Sequence, residues 1–98
     1  MTTEPNEPKP KRMRLTANPL AHIGQLAGYR RVRDRAEALQ VSASYLSEVE
    51  RGRTMPSADL VDRMADKYER TPTQVERAAR LGRENLSRRI LEQTRGML

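Results

Sequence analysis

Between Val41 and Ser57 the chain places short and polar side chains where one face of a helix could hydrogen-bond to another molecule. Ala43, Ser44, Ser47, Glu48 and Arg51 fall on that face, while Leu46 and Val49, three residues apart, fall on the other. Small side chains let a helix approach a nucleic-acid groove closely, and a carboxylate such as Glu48 can accept from a cytosine amino group. That chemistry is recognition. For bond-making chemistry the sequence offers little: one histidine, His22, no cysteine, no phosphate-cradling glycine loop and no paired-carboxylate motif. The expectation is no enzyme, no cofactor and no metal, with His22 on the surface of the first helix and the scattered Asp and Glu on solvated faces.

The elements that position this face can be read from caps and apolar spacing. Ser42 is placed to accept from free backbone donors at the helix start, and Gly52 supplies the left-handed residue that ends the helix. Upstream, Asn18 as cap and Pro19 at the first position open a first helix with Leu20, Ile23, Leu26 and Ala27 on one face. Gly28 weakens its end. A second helix, about Arg31 to Leu39, buries Val32, Ala36 and Leu39, and Gln40-Val41-Ser42 makes a tight connection with Val41 turned inward. Ser57 caps a fourth helix with apolar residues Leu60, Val61, Met64, Ala65 and Tyr68, and Asp59 suits the dipole of its first turn. Thr71-Pro72-Thr73-Gln74 matches a capping box, so a fifth helix runs through Val75, Ala78 and Ala79 to Leu81, where Gly82 is expected to end it. A sixth helical stretch, about Arg83 to Arg95, carries Leu86, Ile90 and Leu91 on one side, with Met97 and Leu98 beyond. These apolar residues need cover, either from the same chain or from a second copy.

The 98 residues carry 19 Lys and Arg against 13 Asp and Glu, a net charge of +6, with no cysteine for a disulfide frame or a metal site. A basic balance favours a polyanionic partner through phosphate neutralisation. Its distribution is uneven: Arg30, Arg31, Arg33 and Arg35 precede the polar-faced helix, whereas Asp59, Asp62, Asp66 and Glu69 make the following one acidic. No apolar run approaches the roughly 20 residues that cross a bilayer, and prolines and charges stand where a signal peptide would be apolar. The expectation is a cytoplasmic protein with no membrane association. Met1 to Asn18 contains Pro5, Pro8 and Pro10 and the basic run Lys9, Lys11, Arg12 and Arg14, and reads as disordered. It is either an arm that wraps DNA or enters a minor groove, or a solubilising tail.

The order of caps, with Leu39-Gln40-Val41-Ser42-Ala43-Ser44-Tyr45-Leu46-Ser47-Glu48-Val49-Glu50-Arg51-Gly52 and Pro56-Ser57, resembles the Cro and repressor-type (XRE-like) helix-turn-helix family of bacteria and phages. The likeness covers about Leu20 to Leu81. It implies an all-α, compact five-helix, lambda-repressor-like domain over 19–82. The basic arm, 1–18, and a C-terminal helical extension, 83–98, flank this domain, and the apolar stripe Leu86, Ile90 and Leu91 makes the extension a candidate dimerisation element. By position the resemblance makes Ala43, Ser44 and Glu48 candidates for base contact and Ser47, Arg51, Arg53 and Thr54 candidates for phosphate contact; the arginine cluster adds Arg31 and Arg33 to the phosphate candidates. The residue-level alternatives are a solvated Glu48, a second cap hydroxyl at Ser44, and a Tyr45 that stacks on a sugar or covers the core edge. Helix two departs from the pattern. Arg35 stands where the family has a core leucine, Val32 near its polar phosphate contact, and Arg30 at a common apolar position, so Tyr29 and Val32 take over that packing. The family's Glu50 pairs with a helix-one arginine, and Gln25 aligns there.

The resemblance implies a sequence-specific DNA-binding regulator, a homodimer on a palindromic double-stranded operator, acting as a repressor of a bacterial or mobile-element operon. Two alternatives stay open: the antitoxin of a toxin–antitoxin pair, which adds a protein partner, and an interaction module that keeps the fold without reading DNA.

Overall fold

The computed structural model describes residues 18–97, and among them every regular element is a helix. α1 spans Pro19–Leu26, α2 Val32–Leu39, α3 Ala43–Glu50, α4 Ala58–Tyr68 and α5 Pro72–Met97. Lys9, Lys11, Arg12 and Arg14 lie outside the described residues, as does Leu98. None of the described helices is long and apolar enough to cross a membrane.

The helix starts follow the hydroxyl residues. Ser42 Oγ accepts from the backbone of Tyr45, and Ser57 Oγ from that of Leu60, each at 3.1 Å. At α5 the box is reciprocal: the Gln74 amide donates to Thr71 Oγ1 at 3.1 Å, and the Thr71 amide donates to Gln74 Oε1 at 2.9 Å. Asn18 makes no side-chain cap; its carbonyl accepts from the His22 amide while Pro19 takes the first helical position.

α1 to α4 all end in the same way. A residue one or two past each helix turns the chain and donates back three residues, and the next amide donates back five: Gly28 and Tyr29, Gln40 and Val41, Gly52 and Arg53, Glu69 and Arg70. This pair of bonds satisfies the last carbonyls and requires a positive φ at the turning residue. Gly28 and Gly52 adopt it freely, at φ 106° and 84°, but Gln40 and Glu69 hold 61° and 56° with a Cβ attached. For an L-residue the left-handed region costs about 1–2 kcal/mol, against about 0.5–1 kcal/mol of extra entropy lost by glycine. Gln40→Gly and Glu69→Gly are therefore each expected to raise stability by about 0.5–1 kcal/mol. Thermal unfolding checks this, and a lowered midpoint would mean that the lost side chain contributes more than its backbone conformation costs.

The core joins all five helices. Leu39, Leu46, Met64 and Val75 are fully buried, with Leu20, Ala36, Val49, Leu60 and Tyr68 closely packed around them. Tyr29 covers one side, its ring 6.0 Å from that of Tyr68, and Val32 and Val41 pack partly buried against the same cluster. α4 buries all five residues of its expected face, Leu60, Val61, Met64, Ala65 and Tyr68. Its Arg63 reaches across to donate to the Leu39 carbonyl at 2.9 Å, tying down the turn that leads into α3.

Two sequence expectations are corrected. α1 buries Leu20, Ala21 and Gly24, whereas Leu26 is 62 % exposed and Ala27 is exposed. The inward face is rotated because Gly24 leaves a hollow that is filled from elsewhere: a Cβ there would run into the Arg35 side chain and the Tyr68 ring. The second correction is that Gly82 does not end the fifth helix, which continues unbroken for 26 residues, about 39 Å, so the fifth and sixth expected helices are one. Gly82 is instead where α5 crosses the turn after α3, its carbonyl so near Gly52 that a Cβ on Gly52 would lie 2.7 Å from it. Leu81 accordingly stays 37 % exposed on the flank of a continuing helix.

Candidate nucleic-acid interface

α3 is held at both ends and left open along one side. Its start is the Ser42 cap; its inward stripe is Leu46, Val49 and Glu50, all buried. The final turn is fixed by an ion pair. Arg35 Nε donates to Glu50 Oε2 at 2.6 Å and Nη2 to Oε1 at 2.9 Å, with both side chains under a tenth exposed. The remaining nitrogen, Nη1, donates to the carbonyls of Tyr29 and Arg30 at 3.0 and 2.8 Å. One guanidinium therefore joins the α1–α2 connection, α2 and the end of α3. The two-pronged geometry is available to arginine alone among the cationic side chains.

Arg35 consequently does not belong to the exposed basic cluster in which its sequence position placed it, and Gln25 does not partner Glu50. The Gln25 amide instead donates weakly to the Arg30 carbonyl, at 3.5 Å. A signal for the pair was present: Val32, Arg35, Ala36 and Leu39 share one helical stripe, as do Leu46, Val49 and Glu50. Opposite charges on facing inward stripes must meet or go unpaired. Beside them, Tyr68 Oη is shielded and without a hydrogen-bond partner among the described residues. Burial pushes its phenol well above the usual range, and the Glu50 charge adds to the effect.

The outward face presents Ala43, Ser44 and Tyr45 exposed, with Ser47 and Glu48 half-exposed beside them. The Glu48 carboxylate lies 4.0 Å from Arg53, a loose surface contact that is easily exchanged. Arg51, Arg53 and Thr54 are exposed in the turn after α3, and Arg31 and Arg33 are exposed at the start of α2. Arg31 lines an open cleft with Gln25, Gly28, Arg30 and Asp34, whereas Arg51 and Arg53 line a separate groove against α5. The phosphate candidates thus form two groups. Leu86 is half-buried in that second groove beside Ile90, and Leu91 does not line it.

His22, expected on the surface, is half-buried, and its Nδ1 is shielded without a partner among the described residues. No group of His, Asp and Glu that could hold a metal ion occurs among the described residues.

Two consecutive short helices across a tight turn, the second capped, anchored and polar on its outer side, define a helix-turn-helix domain. A family model described as helix-turn-helix domain matches residues 11–79, and the chain belongs to this family of XRE-like DNA-binding domains. No curated protein and no solved structure matches the chain.

Proposed function

We propose that the protein is a dimeric, sequence-specific repressor that acts in the cytoplasm, at the nucleoid, on a bacterial or mobile-element operon. The observation that carries this reading is α3: its inward side is locked by Ser42 and by the Arg35–Glu50 pair, while its outer side keeps small and polar groups free for a major groove. In this reading Ala43, Ser44 and Glu48 contact base edges. Arg31, Arg33, Ser47, Arg51, Arg53 and Thr54 contact phosphates, and Lys9, Lys11, Arg12 and Arg14 extend the charge along the duplex. Ile90 and Leu91, 52 % and 61 % exposed, support a second copy on the extension, giving two half-sites on a palindrome. Repression is then steric.

The test is titration of a selected palindromic duplex and a scrambled duplex across a salt series, with sedimentation of the complex. The expected result is a preference for the selected duplex, a steep loss of affinity with salt, and two copies per site. Glu48→Ala should change preference at particular bases by roughly 1–3 kcal/mol while leaving the salt slope unchanged. Equal affinity for both duplexes at physiological salt would reject sequence-specific regulation, and one copy per palindrome would reject the dimer.

A further inference from the structure

The groove between the turn after α3 and the second half of α5 has a volume near 520 Å³ and is lined by Asn18, Arg51, Arg53, Leu86, Arg89, Ile90 and Gln93. Three of these are arginines and none is a carboxylate. Among the described residues neither Arg51 nor Arg89 has an acidic partner, and Arg53 has only the 4.0 Å approach of Glu48. Like charges gathered around one groove repel each other, and an anion between them removes that repulsion. Leu86 and Ile90 offer apolar surface along which arginine stems can lie while their heads stay in water. Arg89 lies ten residues beyond the end of the family match at residue 79, and it enters the groove only because α5 runs on through Gly82.

We propose that Arg89 is a DNA-contacting residue, which with Arg51 and Arg53 binds phosphates of the duplex strand passing the C-terminal end of α3, so that the extension is part of the DNA-binding surface. The inference rests on the DNA-binding reading above and adds a residue to its surface. Arg88 supplies an internal control: it carries the same charge on the same helix, bonds to Asn85 and does not line the groove.

The experiment compares the wild type, Arg89→Ala and Arg88→Ala on a full palindromic duplex and on a single half-site, each over a salt series. Loss of one phosphate contact should flatten the log–log salt slope by about 0.9 and weaken binding roughly fivefold near 0.15 M salt, for selected and scrambled duplexes alike. Arg89→Ala is expected to show this once on the half-site and twice on the palindrome, where each of two copies loses the contact and the slope flattens by about 1.8 with binding weaker by roughly 25-fold. Its melting temperature should be unchanged, and Arg88→Ala should show a clearly smaller change. If Arg89→Ala matches the wild type, binds more tightly or behaves like Arg88→Ala, the proposal is overturned. If its effect disappears on the half-site, the groove holds a second copy of the chain and the proposal is equally overturned. A wild type with no salt-dependent duplex binding would instead defeat the DNA-binding reading itself.

Discussion

Arg35→Met is expected to destabilise the domain by about 3–5 kcal/mol, because it leaves the Glu50 carboxylate buried without its cation. For a domain of this size about 1 kcal/mol moves the melting temperature by roughly 4–8 °C, so the variant should melt at least about 12 °C below the wild type. Glu50→Leu should cost a similar amount by stranding the guanidinium. The double variant should recover much of the loss, since no buried charge then remains, although the Tyr29 and Arg30 carbonyls still lose the donor that Arg35 gave them. A thermal double-mutant cycle reads the coupling directly. Strictly additive single effects would mean that the two residues act separately and that the end of α3 is held by apolar packing alone.

The second large effect comes from two glycines in contact with each other, for which opposite outcomes are expected. At Gly52 an alanine would have to hold φ 84° and place its Cβ 2.7 Å from the Gly82 carbonyl oxygen and 3.0 Å from Arg83 Cα. These are backbone atoms of α5 and cannot rotate away. The left-handed cost of about 1–2 kcal/mol and an overpacking cost of about 1–3 kcal/mol together make Gly52→Ala about 2–5 kcal/mol less stable. At Gly82 the nearest atoms to an added Cβ are Pro19 Cδ and the Glu50 carbonyl oxygen at 3.7 and 3.8 Å, which is ordinary contact. Gly82→Ala should therefore stabilise by about 0.5–1 kcal/mol through the helix interior alone. Urea unfolding of the two variants decides the matter; a stable Gly52→Ala would show that α5 shifts easily against the turn after α3.

The signals that proved legible in the sequence are those that act within a few residues. Ser42, Ser57 and the Thr71–Gln74 pair cap where the pattern places them, because the groups they satisfy are their own neighbours' amides. The strongly periodic face of α4 was legible for a related reason: its alternatives would expose Leu60 and Met64 together. What escaped depends on distant partners. Gly24 contributes to the core by lacking a side chain, so counting apolar residues on α1 selects Leu26 instead. Gly82 carries the residue type of a helix stop but serves as a crossing point, a role visible only once Gly52 lies against it. Arg35 looked like surface charge in a run of arginines, and only the stripe it shares with Ala36 and Leu39 shows it turned inward. For the candidate site, the orientation of α3 could be read from Leu46 and Val49. Which of its outward side chains would meet a base and which a phosphate could not be, because that depends on the geometry of another molecule.

The uninterrupted passage of α5 through Gly82 makes the outer half of that helix an azimuthal gauge. Each residue turns the helix by about 100°, so the direction in which Arg89 points is set by counting back to the packed positions Val75 and Ala79. With no bend between them, a single residue gained or lost beyond Gly82 would swing Arg89 about a quarter-turn away from Arg51 and Arg53 without disturbing the core. Length in this segment is thus coupled to direction. The placement of the extension's side chains depends on its phase as well as its composition, and most of those described are exposed.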